Sequence, residues 1–466
     1  MPTPMPLPMH CGGFGTNLRL KLTQCNPQPN SAVRRCSGQL SLNVIGSTYL
    51  MATKILLLNS DSPFNRGDRA ILAGNITLLK QQFGDDSQIT ALSNFPERDQ
   101  RWFGIEFLNM GVQSLSPIDL LILLRKAAAV DFVFWGGGEF LKDYTNKLGL
   151  LYWWLKIRLL SWVNPKLFGL FQGIGPTHSQ FGRGLIRRTV DCCSLFFTRD
   201  QESADKLTQW GCRTPILAGF DPAIVCQPTP TDTESMLNKL QSSGISRSDL
   251  NNSIGIGPRH WFHYQNSGWL PHKYRHKLPW SRKIDPKAAS QLIEEFAHYL
   301  DQLVDQQQRN LILLPMHMAS SENDQGLCHQ LRDAMEHKHR VHVIEGDELS
   351  PSECLALIAH TRAFVGMRLH STILATVTET PAQVFYYVDK GRIYFEQLGL
   401  SGFSAPIESL LERQQHPKHL AAFQQLMEQG DSVCHQSQQV LTQMRQQLTS
   451  ILAEHLPDSP TTEQHR

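Results

Sequence analysis

The chain has almost no net charge: 44 Lys and Arg stand against 42 Asp and Glu over 466 residues. With no bulk field of either sign, binding to nucleic acid through overall charge is excluded, although a local patch is not. No run of about 18 uncharged apolar residues occurs, so no membrane-spanning helix is expected. The nearest approach, Leu148–Val163 (LGLLYWWLKIRLLSWV), is interrupted by Lys156 and Arg158. It reads either as a buried helix or as an aromatic and basic helix resting on a membrane surface. The ten Cys lack metal-ligand and disulfide-framework spacings; Cys192 and Cys193 are adjacent and the others scattered. That pattern suits reduced thiols in the cytoplasm and points to no metal site. Acids are missing from the start of the chain, where none precedes Asp61. That segment, 1–50, is rich in Pro, Ser, Asn and Gly. It reads as an extension outside the fold, with Met51 as the natural start, or as a targeting peptide.

What is present is a repeated alternation of strand and helix patterns. Ile55-Leu-Leu-Leu58 is a continuous apolar run, as in a strand covered on both faces. Ala70, Ile71, Gly74, Leu78, Leu79 and Phe83 then recur at helical spacing. Further strands are expected over 88–92, 130–135, 167–172, 194–198 and 215–218. A Pro- and Thr-rich stretch, Pro228–Glu234, and the polar stretch 241–252 read as a linker. A second series begins at Ser253-Ile-Gly-Ile-Gly257, with strands expected over 310–314, 341–344, 363–365 and 381–387. The fold class is therefore α/β: two doubly wound, Rossmann-like domains with a cleft between them. The expected division is an extension (1–50), an N-terminal domain (51–235), a C-terminal domain (250–410) and a helical tail (411–466). In the tail Val433, Val440, Met444, Leu448 and Ile451 keep one helical face apolar, so a docked helix is expected.

The chemistry-bearing residues fall just after strands, where open α/β sheets bind their ligands. Arg259 follows Ile-Gly-Ile-Gly, His317 follows Leu311–Leu314, and Arg368 and His370 follow Ala363–Val365 in Gly366-Met-Arg-Leu-His-Ser371. A guanidinium fork, an imidazole and the amides of a helix start together suit a small, highly charged acid. Arg368 is expected on a loop, so that its loss would spare the fold. In the first half, Asn65-Arg-Gly-Asp68 joins a strand to a helix, with Asp68 as the expected N-cap. This loop lacks the glycine patterns of phosphate-cradling loops. Gly136-Gly-Gly138 and Gly173-Ile-Gly-Pro176 follow adjacent strands and allow close backbone approach. Arg199–Asp200 reads as an ion pair or a substrate contact. Asp221 reads as a cap, with Pro222 at the first helical position.

Taken in order, these motifs resemble the polysaccharide pyruvyl transferase family from about Lys54 to about Ser404. They are Asn65-x-Gly-Asp68 with Ala70-Ile71, Gly136-Gly-Gly138, Gly173-Ile-Gly-Pro176, Arg199-Asp-x-x-Ser203, Asp221-Pro-Ala223, Pro315-x-His317 and Gly366-x-Arg368-x-His370. The resemblance implies a glycosyltransferase-B-like architecture. It implies phosphoenolpyruvate as co-substrate, with no further cofactor, and a saccharide acceptor, free or lipid-linked, in exopolysaccharide or cell-wall polymer synthesis. Carried onto matching positions, it implies a donor site of Arg259, Arg368, the Leu369 backbone and His370, with Arg368 and His370 as catalytic residues. His317 is added from its place after a strand. Asn65, Asp68, Gly137, Gly138 and Asp221 are the acceptor-side candidates. The insertion His260–Trp280 and the Gln-rich tail fall outside the family pattern. The implied location is the cytoplasm, at the inner face of the membrane, with no nucleic-acid partner.

Two other readings remain open. A nucleotide-sugar glycosyltransferase of the same architecture would be supported by Glu345 and Glu353, which carry the eight-residue offset of some such enzymes. That pair, however, precedes the Ala363–Val365 strand, where it should follow. A non-catalytic, membrane-associated assembly protein draws support only from Leu148–Val163 and the tail.

Overall fold

In β1 (Lys54–Leu58) every residue after the first is buried, because helices cover both faces of the sheet that it centres. The structure, a computed structural model, describes residues 52–59, 64–143, 147–260, 286–319 and 322–458. The extension 1–50 and nearly all of the insertion His260–Trp280 lie outside the described residues.

The first sheet comprises β1, β2 (Gln88–Ser93), β3 (Glu106–Asn109), β4 (Phe132–Gly136), β5 (Leu167–Gln172), β6 (Leu195–Thr198) and β7 (Ile216–Ala218). Its order is β3-β2-β1-β4-β5-β6-β7, and every pairing is parallel. The intervening helices are α1 (Arg66–Phe83), α2 (Pro96–Phe103), α3 (Pro117–Ala128), α4 (Lys147–Val163), α5 (Gln180–Val190) and α6 (Gln201–Gln209). The alternation of β1 divides the packing. Leu56 and Leu58 share a core with α3, α4 and α5. Ile55 and Leu57 share one with α1 that runs on into the second sheet.

The stretch read as a linker holds helices: α7 (Pro230–Ser242) and α8 (Arg247–Asn251). Thr229 and Asp232 form a capping box around Pro230 at the first helical position, so the Pro and Thr residues mark a helix start rather than an extended segment. The second sheet then follows with β8 (Ser253–Gly257), α9 (Pro286–Gln307), β9 (Asn310–Leu313), α10 (Asp324–Ala334), β10 (Val341–Val343), α11 (Pro351–Ala359), β11 (Ala363–Gly366), α12 (Leu369–Val377), β12 (Ala382–Tyr386), α13 (Asp389–Gln397) and β13 (Ser404–Pro406). Its order is β10-β9-β8-β11-β12-β13, also parallel throughout. The chain ends in α14 (His416–Glu428) and α15 (Gly430–His455). Helix α15 buries Val433, Ser437, Leu441, Met444, Leu448 and Leu452. It packs on both α1 and α12 and ties back to the first half through Arg445 Nε, which donates to the Ile224 carbonyl at 2.7 Å.

Each sheet reverses its strand order once near its centre, between β1 and β4 and between β8 and β11. Such switch points open a crevice at the carboxyl ends of the strands. The loops after β1, β4, β8 and β11 carry Asn65–Asp68, Gly136–Gly138, Arg259 and Arg368. One side of the crevice is stitched shut. Arg66 N donates to the Met316 carbonyl at 2.9 Å and Met318 N to Phe64 at 2.7 Å. Arg66 Nε reaches the Pro315 carbonyl at 3.0 Å, and Arg69 Nη2 donates to both carboxylate oxygens of Asp347, at 2.6 and 2.7 Å.

Candidate active site

Arg259 and Arg368 emerge from neighbouring strands and meet at one carboxylate. Glu322 Oε2 accepts from Arg259 Nη2 and from Arg368 Nη2, each at 3.1 Å. Arg368 also forks onto Asp324, with Nε at 2.7 Å and Nη2 at 3.0 Å. Asp324 is wholly buried in the first turn of α10 and accepts the backbone N–H of His317 at 2.9 Å. Arg259 donates to the Tyr387 hydroxyl, and its guanidinium lies 4.3 Å from the centre of that ring. Both guanidiniums are thus held in fixed orientations before any ligand arrives. Arg368 is not a loop residue in effect: it is the N-cap of α12 and only 8% exposed. It makes no capping bond, because a guanidinium has only donors to offer the helix amides; its side chain goes to Asp324 and Glu322 instead.

His317 is kept neutral. Burial, followed by the charge on Arg368, lowers its pKa to about 4. Its Nδ1 accepts from Ala319 N at 3.3 Å, which places the remaining ring proton on Nε2.

His370 joins the two halves. Its Nε2 lies 3.2 Å from Asp221 Oδ2, and its ring packs on Gly67 so closely that a Cβ there would sit 2.5 Å from Nδ1. Burial alone would raise the Asp221 carboxyl; His370 and then Arg199 outweigh it, and the group stays below its ordinary range. Asp221 is therefore ionised and acceptor-only, so Nε2 of His370 bears the shared proton. Behind this pair Arg199 reaches Asp221 at 3.5 Å and Glu139 at 3.3 Å, with Asp200 at 3.9 Å. Lys390, from α13, pairs with Glu139. Burial and Arg199 lower Lys390 to about 8. Burial opposes ionisation of Glu139, but Lys390, Lys142 and Arg199 bring it to about 2.

Asn65, not Asp68, caps α1: its Oδ1 accepts from the amides of Gly67 and Asp68 at 3.0 and 3.4 Å. Asp68 lies in the first turn and accepts from Asn65 Nδ2 at 2.9 Å. Gly137 and Gly138 turn the chain after β4 with φ of 83° and 77°, a region that glycine enters without strain.

These groups enclose a cleft of ≈ 360 Å³. Asn65, Asp68, Gly138, Arg259, His317, Arg368, Leu369 and His370 all line it. Asp221 does not; it is 6% exposed, and its Oδ2 lies 3.2 Å from Nε2 of His370. Gly137 also stands outside the lining; it shapes the turn. The cleft adds residues that sequence patterns did not single out as ligands: Glu139, Lys142, Glu322, Tyr387 and Lys390. Among the described residues no three His, Cys, Asp or Glu side chains are grouped as a metal would require.

The architecture is similar to that of a putative UDP-N-acetylglucosamine 2-epimerase from Listeria monocytogenes. That structure has a TM-score of 0.53 at 13% identity, covering 88% of this chain and 99% of that one. Anabaena HepE in complex with UDP superposes with a TM-score of 0.49 at 15% identity, over 87% and 100% of the two chains. The UDP-GlcNAc 2-epimerase of Neisseria meningitidis bound to UDP-GlcNAc has a TM-score of 0.49 at 12% identity, over 87% and 99%. The likeness to the first of these concerns the fold alone, a glycosyltransferase-B-like pair of parallel sheets. None of the curated proteins matches the chain in sequence. The model of one family, described as polysaccharide pyruvyl transferase, matches residues 65–389. That span runs from the Asn65 cap to the helix that carries Lys390 and includes both arginines and His370; the chain belongs to the polysaccharide pyruvyl transferase family.

Proposed function

We propose that this protein transfers the enolpyruvyl group of phosphoenolpyruvate onto two hydroxyls of a saccharide. The products are a pyruvate ketal on a surface polymer or its precursor, and phosphate. The observation that supports this reading is the convergence of Arg259 and Arg368 on one carboxylate, Glu322, at the lip of the cleft. Two oriented forks and the first-turn amides of α12 match a ligand with a carboxylate and a phosphate on one carbon.

In the reaction, C3 of the donor takes a proton and positive charge develops at C2. One sugar hydroxyl adds to C2, the C2–O bond to phosphate breaks, and the second hydroxyl closes the ketal. The two hydroxyls lose one proton each; one proton is matched by that gained at C3, and the other leaves with phosphate. The arginines fix C2 against the acceptor. His370, its Nε2 tied to Asp221, exchanges a proton through Nδ1 and serves as the donor to C3. Asp68, which lines the cleft at the start of α1, takes the acceptor proton. Neutral His317 donates a hydrogen bond from Nε2 without adding charge.

Phosphorus NMR of the protein with phosphoenolpyruvate and a set of oligosaccharides tests this. Phosphate is expected only when an acceptor is present, with the acceptor gaining a pyruvate ketal. Release of nucleotide from a sugar nucleotide, with phosphoenolpyruvate untouched, would overturn the reading.

A further inference from the structure

Of the twelve large apolar side chains that stand exposed among the described residues, ten lie on α3, α4, α5 or the turn into α3. Ile118 is 70% exposed, Leu155 51% and Trp162 66%. The three helices pack side by side over the core formed with Leu56 and Leu58, on the face of the first sheet away from the second sheet. Between α3 and α4 runs an apolar groove of ≈ 220 Å³ that Leu115, Leu120, Leu155 and Leu159 help to line. Concentration of this kind marks an interaction surface; scattered exposed leucines would not.

The charge around it is one-sided. Helices α3, α4 and α5 together carry seven Lys and Arg besides the buried Lys156, and a single acid, Asp119, in a chain whose net charge is only +2. Arg158 lies over the Trp162 ring at 5.2 Å, and Arg187 and Arg188 are exposed at the end of α5. A second copy of the chain docked on this face would bring like charges together, which disfavours it. Helix α4 also reaches the cleft, which Gly149, Tyr152 and Trp153 help to line.

We infer that the α3–α4–α5 face docks on a lipid bilayer with anionic headgroups. The apolar side chains enter the interfacial region, while the basic residues meet the lipid phosphates. Among the described residues no helix is long and apolar enough to cross a membrane, so the contact is peripheral. The acceptor end of the cleft is then presented at the bilayer surface. The docking does not depend on the identity of the donor.

Flotation of the full chain with phosphatidylcholine vesicles, with and without phosphatidylglycerol, tests it. The chain is expected to float with the anionic vesicles, and less so as salt rises. Ile118→Gln with Leu155→Gln should lower the partition on the order of tenfold or more at any salt. Arg187→Gln with Arg188→Gln should lower it only on anionic vesicles at low salt. All four positions are exposed, so the melting temperature should stay unchanged. Failure of the unaltered chain to float, or partition unaffected by Ile118→Gln with Leu155→Gln, would overturn the inference. A dimer dispersed by that same pair would assign the face to a second copy instead.

Discussion

Gly67 and His370, 303 positions apart in the sequence, are in direct packing contact: a Cβ at position 67 would meet Nδ1, Cγ and Cβ of His370 at 2.5 to 2.7 Å. The glycine of the Asn65-x-Gly-Asp68 motif is therefore a seat for the imidazole. Its turn-forming capacity is secondary, since Gly67 lies inside α1. Gly67→Ala should displace His370 from Asp221, at a stability cost of about 1–3 kcal/mol for overpacking, with kcat falling more than donor affinity. In a His370→Ala background, where only the Cβ at 2.7 Å remains, the stability cost of Gly67→Ala should shrink. A double-mutant cycle by thermal melts measures that coupling, and additive effects would contradict it.

Glu322 bridges Arg259 and Arg368, so an incoming dianion competes with a carboxylate already in place. Replacing it by Gln removes the competing charge and keeps the shape. Glu322→Gln should tighten phosphoenolpyruvate binding by roughly tenfold, about 1.4 kcal/mol, read by calorimetry without acceptor. Unchanged or weaker binding would show that Glu322 supports the arginines more than it blocks them.

Arg368→Ala strips the fork from a wholly buried carboxylate, Asp324. Leaving that charge unpaired should cost about 3–5 kcal/mol of stability, contrary to the expectation from sequence that the position is a loop whose loss spares the fold. Combining Arg368→Gln with Asp324→Asn should restore most of the melting temperature while leaving donor binding abolished. Recovery of donor binding in the double variant would remove Arg368 from the site.

His317 titrates at about 4 when folded, against about 6.5 for an unperturbed imidazole. The folded state disfavours the charged ring. The unfolded chain therefore binds the extra proton first, and stability falls as pH drops from about 6.5 toward 4. Above about 6.5 both states are neutral and this contribution is zero. His317→Asn, whose side-chain oxygen can still accept from Ala319 N, should flatten that part of the acid limb in thermal melts from pH 4 to 7. An unchanged slope would contradict the assignment.

The parts legible in the sequence were those written locally. Apolar runs such as Ile55–Leu58 and Ser253–Gly257 marked buried parallel strands, and the residues just past them marked the rim where ligands bind. The edge strands β3 and β13 carried no such run, because Glu106 and Pro406 face solvent and break the apolar pattern. Asn65 outcompeted Asp68 as the cap through its side-chain geometry, since both residue types suit the position. The Asp324 fork, the Glu322 bridge and the Lys390–Glu139 pair link residues from different loops. No periodicity reports such pairings: the first two form only when the strands of the second sheet align, and the third only when the two halves meet. Helix α4 read from its sequence as buried or as membrane-facing, and an apolar pattern alone did not separate its buried seam, Leu150, Trp153, Ile157 and Leu160, from the leucines that face solvent.

A structure of the protein with phosphoenolpyruvate bound tests the central claim most directly. The donor is predicted between Arg259 and Arg368, with Glu322 displaced from at least one guanidinium and C3 within proton-transfer reach of His370. Phosphoenolpyruvate found away from both arginines, or a cleft that takes up a sugar nucleotide and excludes phosphoenolpyruvate, would contradict it.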